Sequence, residues 1–227
     1  MADFRLRVTY AETGRLVMLS HLEIARALER AVRRAGLPYA VSQGFSPHMK
    51  QAFGSALPVG VGGLEEIFDV SLTDYVPPEE ALARLRASSA PDLMPHAARY
   101  ITKDETAASA AYPRSTYEAL LEASRTGDGE MDVLAAAHEL SLPSEITVVR
   151  KKKERVLVPS EFVVGELEVE PAEPGEEGQS RALVRFTLES KASGSLRPDV
   201  LLEHMFADSG LRAASILRTK QSEIPKE

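Results

Sequence analysis

Residues 20–36 read SHLEIARALERAVRRAG, and this stretch announces a helix with both ends marked. Ser20 and Glu23 have capping-box spacing, Gly36 suits the left-handed position just past the last turn, and Pro38 blocks any continuation. The helix is therefore expected over about 21–35. Leu22, Ala25, Leu28, Val32 and Ala35 recur at three- and four-residue steps and predict the buried stripe. Arg26, Arg30, Arg33 and Arg34 make a second, basic stripe, with Glu29 placed to pair with Arg33.

Working outward, FRLRVTY (4–10) alternates like a strand, and RLVMLS (15–20) after the turn ETG predicts its hairpin partner. On the other side, YAVSQ (39–43) reads as a short strand and QAFGSALPVGVGG (51–63) as a glycine-punctuated extended segment. EEIFDVSLTD (65–74) alternates as a strand. PPEEALARLRASSA (77–90) opens on proline and acidic residues as a helix does, and DLMPHAARYIT (92–102) returns as a strand. The order strand, helix, strand, strand, helix, strand is that of a ferredoxin-like unit.

A second pass follows: YEALLEA, a helix over 130–140, a hairpin ITVVRKKKERVLVP, then ALVRFTLES, PDVLLEHMF and LRAASILRTKQ. EVEPAEPGEEGQS (168–180) is expected to be a flexible loop. The chain is thus read as α+β, two tandem ferredoxin-like (βαββαβ) subdomains with antiparallel sheets, over 1–103 and 114–227.

Composition narrows the chemistry. The 227 residues include no cysteine, which excludes disulfides, thiol nucleophiles and any iron–sulfur cluster held by this chain's own thiolates. No apolar run approaches the roughly 20 residues of a membrane span, and the start MADFRLRVTY lacks a signal peptide's apolar centre, so a cytoplasmic protein without membrane contact is expected. The net charge of −7 conceals an asymmetry: residues 1–50 carry eight Lys or Arg against four Asp or Glu, while residues 51–150 carry seven against sixteen. A basic segment on an acidic protein suits RNA or another anion, and solvated surface arginines give the same count.

The basic segment contains SQGFSPHMK (42–50). Gly44 permits positive φ, and Pro47 stiffens the path. Two readings compete. In one, the loop is a rigid connection whose Phe45 plugs the core. In the other, Ser42, Gln43, Gly44, Ser46, Pro47, His48 and Lys50 gather at an anionic or nucleotide ligand, with Phe45 as a stacking face. His21, at the first helical position, and His48 are the candidate acid–base residues of an RNA-processing enzyme. Arg150 and Lys151, in the run RKKKER, are candidate phosphate contacts. No compact cluster of His and carboxylates suggests a metal, GSALPVGVGG matches no nucleotide-binding glycine pattern, and no nucleophile elbow or paired catalytic carboxylates are visible.

GRLVMLSHLEIARALERAVRRAGLPYAVSQGFSPHMKQAFGSALPVGVGG (14–63) closely resembles the start of bacterial radical-SAM-linked proteins of unknown function. These are similar to a domain fused to the carboxyl end of certain radical SAM proteins. The resemblance is carried by Ser20, His21, Arg33, Arg34, Gly36, Ser42 to Pro47, His48, Lys50, Leu57, Pro58 and Gly60. Met49 stands where the family commonly has proline. The likeness runs through roughly residues 4–75 and continues diffusely. It implies a radical SAM partner that carries the iron–sulfur cluster and S-adenosylmethionine, with no cofactor bound by this chain. It also implies a setting near tRNA or rRNA modification and processing, and the tandem ferredoxin-like reading looks like the architecture of tRNA pseudouridine synthases and CRISPR repeat-processing endonucleases. The expected function is an accessory or RNA-binding module without catalytic activity of its own, DNA not being expected as a ligand. The alternatives are an enzyme using His21 or His48 and a pure protein-interaction module.

Overall fold

A computed structural model describes residues 4–124, 131–150, 153–175 and 178–224. The chain forms two compact units, Met1–Tyr112 with Gln221–Glu227, and Pro113–Lys220.

The first unit runs β1 (Phe4–Glu12), α1 (His21–Arg34), β2 (Gln51–Phe53), β3 (Val61–Leu72), α2 (Pro78–Ser88), β4 (Leu93–Ile101) and a four-residue helix α3 (Ala108–Ala111). Its strands lie in the order β4-β1-β3-β2, every pair antiparallel. Leu6 and Val8 of β1 and Phe68 and Val70 of β3 point to one side, where Leu28 of α1 and Leu85 of α2 close the core. Alternation along a strand sends Arg5, Arg7, Asp69 and Ser71 to the opposite side.

α1 has the predicted limits. The Ser20 backbone N–H and hydroxyl both donate to the Glu23 carboxylate, at 2.8 and 2.7 Å. At the other end Gly36 takes φ +63°, its N–H reaching the Arg33 carbonyl while the Leu37 N–H reaches that of Val32. This pair of bonds is the glycine-ended Schellman closure. The buried stripe, however, is Ile24, Leu28, Ala31, Val32 and Ala35, with Leu22 left 68% exposed. The sheet selects a face rotated from the one the spacing suggested.

RLVMLS is not a strand. Residues Gly14–Met18 form a 3₁₀ turn, because β1 already has β3 on one edge and β4 on the other. The turn is tied instead through the Thr13 N–H to the Asp92 carbonyl and through the Val17 carbonyl to the Gly60 N–H. YAVSQ likewise contributes only single bridges, Tyr39 to Leu72 and Val41 to Met49.

The second unit runs β5 (Arg114–Ala123), α4 (Val133–His138), β6 (Ile146–Arg150), β7 (Lys153–Leu157), β8 (Val163–Pro171), β9 (Ala182–Glu189), α5 (Pro198–Met205) and β10 (Leu211–Ser222). The sheet order is β10-β5-β9-β8, with β6 and β7 forming a separate two-stranded ribbon. The start of EVEPAEPGEEGQS belongs to β8, paired with β9 as far as Pro171 opposite Ala182, so the connecting loop is shorter than the sequence predicted. With the ribbon set aside, each unit has the element order strand, helix, strand, strand, helix, strand and the spatial order 4-1-3-2. Both are mixed α+β with antiparallel pairing. No helix among the described residues is long and apolar enough to cross a membrane.

Candidate nucleic-acid interface

The basic face of α1 is presented as its spacing requires. Arg26, Arg30 and Arg34 are exposed, and no salt bridge engages them among the described residues. Arg33 differs: it pairs with Glu29 and lies over the Tyr39 ring, 5.5 Å from its centre, and the Glu29 carboxylate raises its guanidinium pKa. Tyr39 opens the path into the loop, so this cation–π contact links the end of α1 to the loop's root. Glu23 is held below its ordinary pKa, first by the Ser20 hydroxyl and then by the Ser20 backbone N–H.

The loop itself is anchored at its root and bare at its tip. The Ala40 N–H donates to the Ser71 carbonyl at 2.8 Å, the Ser71 N–H to the Lys50 carbonyl at 3.0 Å, and the Lys50 N–H to the Ala40 carbonyl at 2.9 Å. The Ser42 N–H then donates to the His48 carbonyl at 2.8 Å, while the His48 N–H returns a bond to the Ser42 hydroxyl at 3.1 Å. Met49 is 1% exposed and fixes this root in the core. Gln43, Gly44, Phe45, Ser46, Pro47 and His48 all face solvent, and Phe45 is fully exposed. The reading in which Phe45 plugs the core is therefore wrong; Met49, two residues beyond the stiffening Pro47, takes that place.

The two histidines have separate surroundings. His48 Nδ1 lies 3.0 Å from the Ser42 hydroxyl and 3.3 Å from the Ser46 carbonyl, which leaves Nε2 without a hydrogen-bond partner among the described residues. His21 packs edge-on against Phe53 with ring centres 5.1 Å apart, and Phe53 in turn stacks on Phe68. No hydrogen bond joins His21 to His48 among the described residues. Nor is any group of three His, Asp or Glu among them placed to hold a metal.

Sequence reasoning missed two residues at the loop. Arg5 and Ser71 border the same depression as His48 and Lys50, about 270 Å³ in volume, with Asp69 in its wall. Only the pleat could have signalled them, since Arg5 lies on the polar side of β1 and far from the loop in sequence. In the second unit, β6 and β7 pair from Ile146 opposite Leu157 to Arg150 opposite Lys153, on either side of the middle of RKKKER. Arg150 ends β6, and Lys151 lies outside the described residues. Arg155 of this ribbon donates to the Ser193 carbonyl.

Over residues 5–198 the chain matches a family described as an uncharacterized protein conserved in bacteria, DUF2344, and it belongs to that family. No curated protein matches it in sequence. Similar solved structures include a Cbf5–Nop10–Gar1 complex, at 15% identity and a TM-score of 0.44 over 95% of this chain and 48% of that one. An H/ACA RNP bound to a substrate RNA containing 2′-deoxyuridine gives 13%, 0.43, and 95% and 47%. A third is an unknown protein from Galdieria sulphuraria, at 14% identity and a TM-score of 0.28 over 99% of this chain and 100% of that one. The chain spans about half the length of the first two.

Proposed function

We propose that this member of the DUF2344 family is a non-catalytic RNA-binding module that works beside a radical SAM enzyme in tRNA or rRNA modification or processing. The observation that carries the RNA reading is the bare Phe45 ring on a loop whose root is pinned to β3 and whose Met49 is buried. An isolated aromatic at the tip of a fixed loop suits stacking against an unpaired base, worth roughly 1–3 kcal/mol where it is used. The exposed Arg26, Arg30 and Arg34 on α1 supply the sequence-independent attraction to a phosphate backbone. The packing of His21 against Phe53 favours a structural role for that histidine over an acid–base one. The radical SAM partnership is supported by the resemblance of residues 4–75 and by the absence of cysteine, which assigns any cluster to another chain. The shared 4-1-3-2 strand order supports two ferredoxin-like units.

The test is affinity purification from a bacterium that encodes the protein, with and without RNase, identifying both RNA and protein. A defined RNA class that is lost on raising salt, and is not recovered with Phe45→Ser or Arg30→Glu, is the expected result. Recovery of a radical SAM protein after RNase treatment would support the partnership. Recovery of a protein partner without any RNA would replace this reading with that of a protein-interaction module.

A further inference from the structure

The polar side of the first sheet carries a chemistry separate from the α1 arginines, which lie across the core from it. Arg5 of β1 is paired in register with Ser71 of β3, and the Ser71 N–H donates to the Lys50 carbonyl. Arg5, Ser71 and Lys50 therefore form one row across the sheet, and His48 lies two residues before Lys50 at the mouth of the depression.

Charges in this row do not cancel. Asp69 is the wall's carboxylate, and Arg7 takes both of its oxygens in a fork, Nε to Oδ1 at 2.7 Å and Nη2 to Oδ2 at 2.9 Å. Arg7 and Asp69 are each 4% exposed, and Arg7 also donates to the Thr106 carbonyl and lies over Tyr112. That pair is satisfied and neutral. Arg5 reaches the same carboxylate, and the Thr102 carbonyl, only at 3.5 Å. Its charge is in surplus, and the exposed Lys50 adds a second. At about 270 Å³ the depression falls below the roughly 300 Å³ at which drug-sized sites begin, so it suits a small headgroup rather than a whole nucleotide.

We propose that Arg5, Lys50, Ser71 and His48 form a pocket for the dianion of a phosphate monoester, either a terminal phosphate of RNA or that of a free mononucleotide. The guanidinium and ammonium match its charge, the Ser71 hydroxyl and His48 Nε2 supply further hydrogen bonds, and the attached ribose projects to solvent. For an RNA end the pocket rests on the RNA reading above. For a free nucleotide it stands alone.

Calorimetric titration of the full chain with inorganic phosphate, 5′-AMP and adenosine tests the assignment. Phosphate and 5′-AMP are expected to bind and adenosine not to. Arg5→Gln and Lys50→Gln should each weaken binding by about tenfold, the loss of one charge-assisted contact, while Arg84→Gln on α2, where the arginine pairs with Glu80, leaves it unchanged. Circular dichroism checks that each variant is folded, and Ser71→Ala gives a milder probe should Arg5→Gln destabilise the sheet. A 5′-phosphorylated oligoribonucleotide that outcompetes its 5′-hydroxyl twin, with the advantage lost in Arg5→Gln, identifies the source as an RNA end. Equal binding of the twins beside saturable 5′-AMP binding identifies a free nucleotide. No binding of phosphate or 5′-AMP to the folded protein, or binding indifferent to both Arg5→Gln and Lys50→Gln, overturns the pocket. If that happens while RNA binding persists, the proposed function survives it; phosphate binding in a protein that binds no RNA has the reverse meaning.

Discussion

Each unit interrupts its βαββαβ order at the same place, between the first helix and the second strand of the sheet, and each fills the gap with a long connection. In the first unit the chain from Ala35 to Lys50 borrows the edge of β3, through Ala40, Ser71 and Lys50, and sinks Met49 into the core. In the second unit the corresponding stretch pairs with itself as β6 and β7, buried at its root by Ile146 and Leu157, while Val149 and Val156 are 68% and 53% exposed. One topological position thus has two physical solutions. A connection bonded to the sheet fixes the root from which the loop carrying Phe45 projects, because the root's backbone bonds are part of the sheet's own. A self-paired ribbon satisfies its backbone internally, so the sheet does not need it.

Variants can break or sharpen this contrast. The largest effect is expected for Met49→Ala, which removes the first connection's anchor: the loss should be about 2–5 kcal/mol in denaturant unfolding, as for other buried methionines. A cost near that of a surface substitution would mean that the loop is held by its backbone bonds alone. Gly36→Ala, at φ +63°, forces a Cβ into the left-handed region where the connection leaves α1 and should cost about 1 kcal/mol by the same measurement. Replacing residues 148–155 by a short glycine turn should change the stability of the second unit by less than about 1 kcal/mol, since Ile146 and Leu157 remain. Loss of the β5–β9 amides' hydrogen-exchange protection would show that the ribbon supports the sheet after all. Phe45→Ser should be smallest in stability, within about 0.5 kcal/mol of wild type, because the ring packs against nothing that its removal exposes. Its effect should appear in RNA affinity instead, and a matched loss of stability would return Phe45 to a structural role.

Much of this was legible locally. The Ser20–Glu23 box, Gly36 and Pro38 bounded α1, the alternation in 4–10 and 65–74 gave β1 and β3, and Pro77 with Pro78 opened α2. RLVMLS misled because its local pattern suits a strand, while its exclusion comes from β3 and β4 already occupying both edges of β1. β8 was hidden because its acidic outer face resembles a solvated loop. The candidate site was legible as a composition, SQGFSPHMK, but not as an arrangement. Nothing in the loop tells that Met49 goes inward and Phe45 outward, or that Arg5 and Ser71 border the same hollow.

By itself the sequence determined β1, α1, β3, α2 and β4 of the first unit and the caps of α1, because these depend on residues within a turn or two of each other, and its composition excluded thiolate chemistry on this chain. Only the tertiary structure decided which stripe of α1 is buried, since two stripes that share Leu28, Val32 and Ala35 are both apolar and the sheet chooses between them. It also decided the fates of Arg5 and Arg7, the same residue type two positions apart on one face of β1. Asp69, more than sixty residues on, has two oxygens, and Arg7 lies where its fork takes both, which leaves Arg5 its charge.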